Sequence, residues 1–315
     1  MTKIEWTDRT WNPTRGCALV SEGCRHCYAM KFAHRFSGPG QPYEGLTELG
    51  PDGPRWTGKV VTVPDRLDEP LRWRKPSRIF VNSMSDLFHE DVPEEFVDQV
   101  FAVMALSAQH TFQCLTKRPE RMLEYVNAMV DDDLNRISDQ ACALSNSPCA
   151  VVDDWPLPNV WLGVSVEDQI TADERIPLLL QTPAAVHFVS YEPALGPVDF
   201  ASDSLKGIHD NSGLRRYAID CIDWVICGGE SGPGARPMRP ECARSVRDQC
   251  VAADVPFFFK QWGAWLHTDQ MTRQQFDDTW QCAEYSDRHF RRVGKKAAGR
   301  RLDRRTWDEF PTIGI

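Results

Sequence analysis

The chain has 315 residues, is 42% hydrophobic and 26% charged, and has a mean hydropathy of -0.44. That is the composition of an ordinary soluble globular protein, with room for one large α/β domain or two smaller ones. No run approaches the ~18 to 20 apolar residues of a membrane span, and the opening "MTKIEWTDRT" has no apolar h-region, so a cytoplasmic protein with no membrane partner is expected.

In chain order, "KIEW" near the start reads as a strand leading into a cysteine-rich loop. "RIFVNS" (78–83) is a strand and 94–108 an amphipathic helix. "TFQCLTKR" (111–118) is a strand, with a helix from Pro119 to about 130. "VWLGVSVED" (160–168) is a strand before a helix at about 169–180. "VHFVSYEP" (186–193), "DWVICGGESG" (223–232) and "PFFFKQWG" (256–263) are further strands, with a helix at about 240–253 between the last two. Apolar runs of four or five residues indicate strands buried on both faces. Strand then helix, repeated, indicates βαβ units and a parallel sheet. The expected fold is therefore α/β: a complete or partial (β/α) TIM-type barrel of about 6–7 parallel strands, with an open doubly wound sheet as its rival. We expect a single barrel domain over 1–287, with loop insertions at about 37–58, 131–158 and 201–218. A basic tail, 288–315, would pack on or beside it.

Charge is uneven. The net charge is -9, but residues 288–305 carry nine Lys or Arg against one Asp, a local +8 that leaves the rest at -17. Such a tail could contact phosphates, or could be a solvated surface segment.

Function in such folds gathers at the C-terminal ends of the strands. Here those ends are polar in succession: Asn82, Ser83, Ser85 and Asp86; Lys117 and Arg118; Ser165 and Glu167; Glu192; Glu230; Lys260 and Gln261. A shared cavity explains this better than six independent loop starts. Lys117 and Arg118 are candidates for a substrate phosphate or carboxylate. Arg236 is a loop cation able to reach an anionic ligand, and Glu230, Lys260 and Gln261 are further substrate candidates. Ser165, Glu167 and Glu192 could hold a ribose or an amine, although carboxylates at a helix start also suit its dipole. Gly228 and Gly229 permit close backbone approach to a ligand, or simply a tight turn.

The eleven cysteines are odd in number and scattered, so they read as thiols and ligands rather than a disulfide framework. Cys17, Cys24 and Cys27 stand out, spaced C-x6-C-x2-C. A closed zinc site needs four ligands, and no second C-x2-C exists; His26 or His34 could complete Cys3His. A cluster of four irons held by three thiolates keeps one iron open for another ligand. Cys114, Cys221, Cys227, Cys242, Cys250 and Cys282 read as buried small residues. Trp6 and Tyr28 read as packing around the cysteine loop.

"NPTRGC…GCRHCYA" resembles the cluster loop of radical S-adenosylmethionine enzymes, in the branch that includes spore photoproduct lyase-like proteins. The first gap is longer than the usual C-x3-C, and His26 stands where an aromatic residue is usual. The chain as a whole resembles a phage-associated family with a three-Cys motif, through "IEWTDRTWNPTRGC", "LTKRPERM", "WLGVSVEDQ", "SYEPALGP", "CGGESGPGARPM", "PFFFKQWG" and "GKKAAGRRLDRRTWDEFP". The resemblance implies a [4Fe-4S] cluster on Cys17, Cys24 and Cys27, and S-adenosylmethionine on its open iron. A 5′-deoxyadenosyl radical would then abstract hydrogen from a nucleic-acid or nucleotide substrate. It implies amine contacts from Ser83, Ser85 and Asp86 and stacking by His26. It further implies a flavodoxin- or ferredoxin-type reductant and a protein partner from a neighbouring gene. No catalytic hydrogen donor is assigned. The alternatives are a zinc-stabilised nucleic-acid-binding protein without radical chemistry and a non-catalytic partner subunit.

Overall fold

The computed structural model describes residues 4–51, 53–145, 152–209, 215–279 and 289–312. Seven strands follow one another in chain order across one sheet: β1 (Arg9–Trp11), β2 (Arg78–Val81), β3 (Thr111–Thr116), β4 (Val160–Val166), β5 (Val186–Tyr191), β6 (Trp224–Gly228) and β7 (Phe257–Gln261). The ladders β1–β2, β2–β3, β3–β4, β5–β6 and β6–β7 are parallel. Parallel neighbours need crossovers, and helices supply them. After β2 comes α2 (Glu94–Leu106), and after β3 come α3 (Pro119–Asp131) and α4 (Asn135–Ser145). After β4 comes α5 (Gln169–Gln181), and after β6 comes α6 (Pro240–Ala252). A short helix, α1 (Tyr28–His34), follows the cysteine loop after β1. The fold is α/β, with the strand order of a partial (β/α) barrel.

The local reasons are those of the sequence. All seven residues of β4 and all five of β7 are buried, which is why they read as continuous apolar runs. Helix α3 begins at Pro119, where the missing N–H costs nothing, and α2 opens with Glu94 and Glu95 on the positive end of its dipole.

Several expectations change. The segment Ile4–Trp6 is not a strand; the first strand is Arg9–Trp11, paired with β2. Two of the expected loop insertions contain antiparallel hairpins, Thr47–Gly50 with Gly53–Trp56 and Lys206–His209 with Arg215–Tyr217. The third contains α4. Cys149 and Cys282 lie outside the described residues.

The chain packs as two compact units. The first holds residues 1–20, 29–164 and 178–187; the second holds 21–28, 165–177 and 188–315. The first has an aromatic core in which Phe101 meets Tyr125 and Trp155 at ring distances of 5.3 and 5.7 Å. In the second, Trp224 packs on Phe188 and Phe310 at 5.8 and 5.1 Å. There the C-terminal segment runs along β7: Phe258 bridges to Asp308, Phe259 N donates to Trp307 O at 3.0 Å, and Trp224 Nε1 donates to Glu309 O at 2.9 Å. The tail thus covers a strand edge that would otherwise offer free backbone groups. Among the described residues, no helix is long and apolar enough to cross a membrane.

Candidate functional site

In the first unit, three strand ends are tied together by short polar side chains. Asn12, just after β1, accepts from Ser83 Oγ at 3.2 Å and Met84 N at 3.0 Å. Thr14 N donates to Asn82 Oδ1 at 3.4 Å, and the Thr14 and Ser85 hydroxyls meet at 2.7 Å. Asn82 itself sits at φ 58°, a left-handed conformation that Asn tolerates. Asp86, 6% exposed, then links this loop to the end of β3. Its carboxylate accepts from Thr116 Oγ1 at 2.8 Å, Lys117 N at 3.2 Å and Arg118 Nη1 at 3.1 Å. Of the residues expected to meet a cofactor amine, Ser83 and Ser85 therefore hold the segment that leads to Cys17, and Asp86 holds the end of β3.

Arg118 also donates to Glu90 at 2.9 Å. Burial alone would lower its pKa, but the charges of Asp86, Cys17 and Glu90 outweigh burial and hold it above the ordinary value. His89 nearby is 1% exposed. Its Nδ1 accepts from Asp91 N at 3.2 Å, and its buried Nε2 makes no hydrogen bond. Burial first, then the Arg118 charge, lowers its pKa below 6.5.

In the second unit, the segment Ser21–Tyr28 carries Cys24 and Cys27. Glu22–Cys24 form a 3-10 turn, and Cys27 N donates to Cys24 O at 3.2 Å, so the two thiols lie one turn apart in the chain. One carboxylate holds this segment from the end of β4. Glu167, 1% exposed, accepts from Ser21 Oγ at 2.9 Å and from Arg175 at 3.2 and 3.3 Å. Gly23 lies against it so closely that a Cβ would stand 2.4 Å from Oε1. From the end of β6 comes an arginine. Arg236 donates from N and Nε to Glu230 Oε2 at 2.8 and 3.0 Å, and from Nη2 to Glu230 Oε1 at 2.8 Å. It also reaches Glu22 O at 2.9 Å. These hydrogen bonds to Glu230 raise the Arg236 pKa. The ring of His26 packs on Gly234, where a Cβ would stand 2.9 Å from Cε1.

A separate row crosses β5, β6 and β7. Lys260 Nζ reaches both Glu192 oxygens at 2.7 Å. The pair passes over Gly228, whose absent Cβ would lie 3.3 Å from the Glu192 carboxylate and 3.4 Å from Lys260 Cβ. Ser165 Oγ donates to Glu192 O at 3.0 Å. Gln261 donates to Gly229 O at 2.7 Å while its buried Oε1 makes no hydrogen bond, and neither does the buried Ser190 Oγ. Gly229 faces backbone, since a Cβ there would be 2.1 Å from Trp262 O. Close approach is thus real at both glycines, and protein groups make it.

Cys17, Cys24 and Cys27 are half-buried and outside any disulfide, whereas Cys114, Cys227, Cys242 and Cys250 are buried and Cys221 is half-buried. Tyr28, expected to pack, is exposed. His34 Nδ1 bonds Thr47 Oγ1 at 3.0 Å. The donor set, three soft thiols, suits an iron–sulfur cluster and also zinc. Among the described residues, no group of three or more His, Cys, Asp or Glu is already gathered as metal ligands. The donor chemistry of the three thiols fits either metal.

Over residues 1–311 the chain matches a family described as proteins of unknown function, DUF5131. The chain belongs to the DUF5131 family. Comparison with curated proteins and with solved structures gives no match. For this DUF5131 protein, sequence reasoning missed Ser21, Glu22, His89 and Arg175. Their role comes from partners far away in the chain, and no local motif marks them.

Proposed function

We propose that this protein is a radical S-adenosylmethionine enzyme in which Cys17, Cys24 and Cys27 hold a [4Fe-4S] cluster. The observation that carries the reading is the set of three half-buried thiols on the loop leaving the first strand of a parallel sheet. The C-x2-C half of that set is braced by Glu167 and Arg236. When bound, cluster and cofactor supply hydrogen abstraction by a 5′-deoxyadenosyl radical. The chain's own residues do the rest. Ser83 and Ser85 brace the segment leading to Cys17, and Asp86 braces the end of β3. Glu167 and the Arg236–Glu230 pair hold the Cys24–Cys27 turn. Arg118, kept cationic by its carboxylate neighbours, offers charge at the end of β3 in the first unit, and the Lys260–Glu192 pair does so at the strand ends of the second.

The test is made without oxygen. Iron and sulfide are counted per chain after reconstitution, and the reduced protein is assayed with S-adenosylmethionine for 5′-deoxyadenosine. About four irons and product, both lost in Cys24→Ala, are expected. One zinc, no sulfide and no product would replace the reading by a zinc-stabilised protein, with His26 as the fourth ligand to examine.

A further inference from the structure

The basic tail, the obvious phosphate-binding element by sequence, is partly committed to the protein itself. Arg300 pairs with Asp308, and Arg305 reaches Glu309 at 3.4 Å and lies 3.7 Å over the Trp307 ring. Asp303 takes Arg244 at 2.7 Å and Arg247 at 2.6 Å, and Arg291 is buried. A second basic stretch exists where sequence reading did not look for one. Residues 9–43 hold five Lys or Arg and a single acid, Glu22, in a chain of net charge -9.

Within that stretch, α1 turns Ala29, Met30 and Ala33 inward. Its other side carries Phe32, 47% exposed, and Phe36 beyond its end is 41% exposed. The turn continues to Phe36 through Arg35 N to Phe32 O at 3.1 Å and Phe36 N to Ala33 O at 2.9 Å. The two rings stand 5.1 Å apart and tilted by 49°. Each ring leaves nearly half of its surface to solvent. Lys31 and Arg35 alternate with them in sequence, and Arg35 is exposed. Tyr28, four residues before Phe32 in the same helix, is exposed as well.

We propose that α1 and the residues to Phe36 form a stacking face for single-stranded nucleic acid. Open aromatic faces interleaved with cations are what unpaired bases on a phosphate chain recognise, and duplex bases offer no such faces. The alternation with Lys31 and Arg35 supplies charge complementary to phosphate, whereas Lys is depleted from the cores of protein interfaces. As a statement about the enzyme's substrate, the proposal rests on the function proposed above. As a statement about binding, it rests on α1 alone.

The experiment uses the full chain without metal and a dye-labelled 20-nucleotide oligothymidylate, followed by fluorescence anisotropy, with a duplex of equal length beside it. The single strand binds in preference to the duplex and more weakly as salt rises. Phe32→Ala with Phe36→Ala weakens binding by about tenfold or more, and Arg35→Glu weakens it and flattens the salt dependence. Should the double variant not fold, Arg35→Glu and the ring-preserving Phe32→Tyr, expected to bind as wild type, still decide. No binding, equal duplex binding, or wild-type binding by Phe32→Ala with Phe36→Ala or by Arg35→Glu would overturn the proposal. So would a dimer, seen by light scattering, that the Phe32/Phe36 variant converts to monomer without changing oligonucleotide binding. That result would make the face a contact between copies. Oligonucleotide binding without 5′-deoxyadenosine formation counts against the radical reading only, and the reverse counts against this face only.

Discussion

Arg236 and Glu22, 214 residues apart in the chain, are joined by a 2.9 Å hydrogen bond from the guanidinium to the backbone carbonyl that begins the Cys24 turn. The same guanidinium is fixed by two-point bonding to Glu230. A loop at the end of β6 thereby sets the backbone of the thiol segment. Arg236→Ala is expected to speed hydrogen exchange in peptides covering residues 21–28 and to lower iron retained after reconstitution. Global stability should fall by about 1 to 3 kcal/mol, since Glu230 loses its charged partner. Unchanged exchange in that segment would remove Arg236 from this role.

Glu167 and Arg175 form a buried pair, 1% and 4% exposed, that also anchors Ser21. Breaking such a pair from one side leaves an uncompensated charge and costs about 3 to 5 kcal/mol. Arg175→Met should lose that much in urea unfolding, and the double variant Glu167→Gln Arg175→Met should lose less than Arg175→Met alone. Additive losses in the cycle would mean that the two side chains do not couple.

The two adjacent glycines at the end of β6 should respond very differently to alanine. At Gly228 the new methyl meets a flexible ion pair at 3.3 Å, which can shift by a few tenths of an ångström. A cost of about 1 to 2 kcal/mol is expected. At Gly229 the methyl would lie 2.1 Å from the Trp262 carbonyl, which is backbone. That exchange should cost more than about 4 kcal/mol or prevent folding. Comparable midpoints for the two variants would contradict this geometry.

His89 gives a pH dependence of known sign. Its folded pKa lies below the ordinary 6.5 because burial and Arg118 oppose its charge. Above 6.5 the ring is neutral in both folded and unfolded chains and contributes no pH dependence. As pH falls through 6.5 the unfolded chain takes up the proton first, so stability declines. The urea midpoint should drop between pH 7.5 and 5.5, and His89→Gln should show a smaller drop. An equal drop in both would place the titration elsewhere.

Much of the fold was legible because burial on two faces leaves a direct mark in composition. "VWLGV" and "FFF" can be nothing but interior strand in a chain otherwise this polar, and their observed spans differ from the expected ones only at the ends. The first strand was misplaced. "RTW" is three residues long with one buried side chain, and it is a strand only because β2 pairs with it. The insertions read as loops because a short hairpin rich in Gly and Pro carries no long apolar run. The site was legible as a set of residue types. Glu167, Glu192, Glu230, Arg236 and Lys260 were all marked by sequence, but as groups facing a ligand; the structure pairs each of them with another protein group.

The sequence by itself determined the α/β class, the alternation of strands and helices from Arg78 on, and the three thiols of the cysteine loop. Hydrophobic periodicity and residue chemistry are local properties of the chain. Only the tertiary structure decided which carboxylate meets which cation: Glu167 with Arg175, Glu192 with Lys260, Glu230 with Arg236 and, through it, Glu22. It also decided that Arg291 is buried and that Arg300 and Arg305 pair with Asp308 and Glu309, while Phe32 and Phe36 are exposed. A buried charge needs a partner near at hand, and which partner is near depends on how distant segments pack, information that no local stretch of sequence contains.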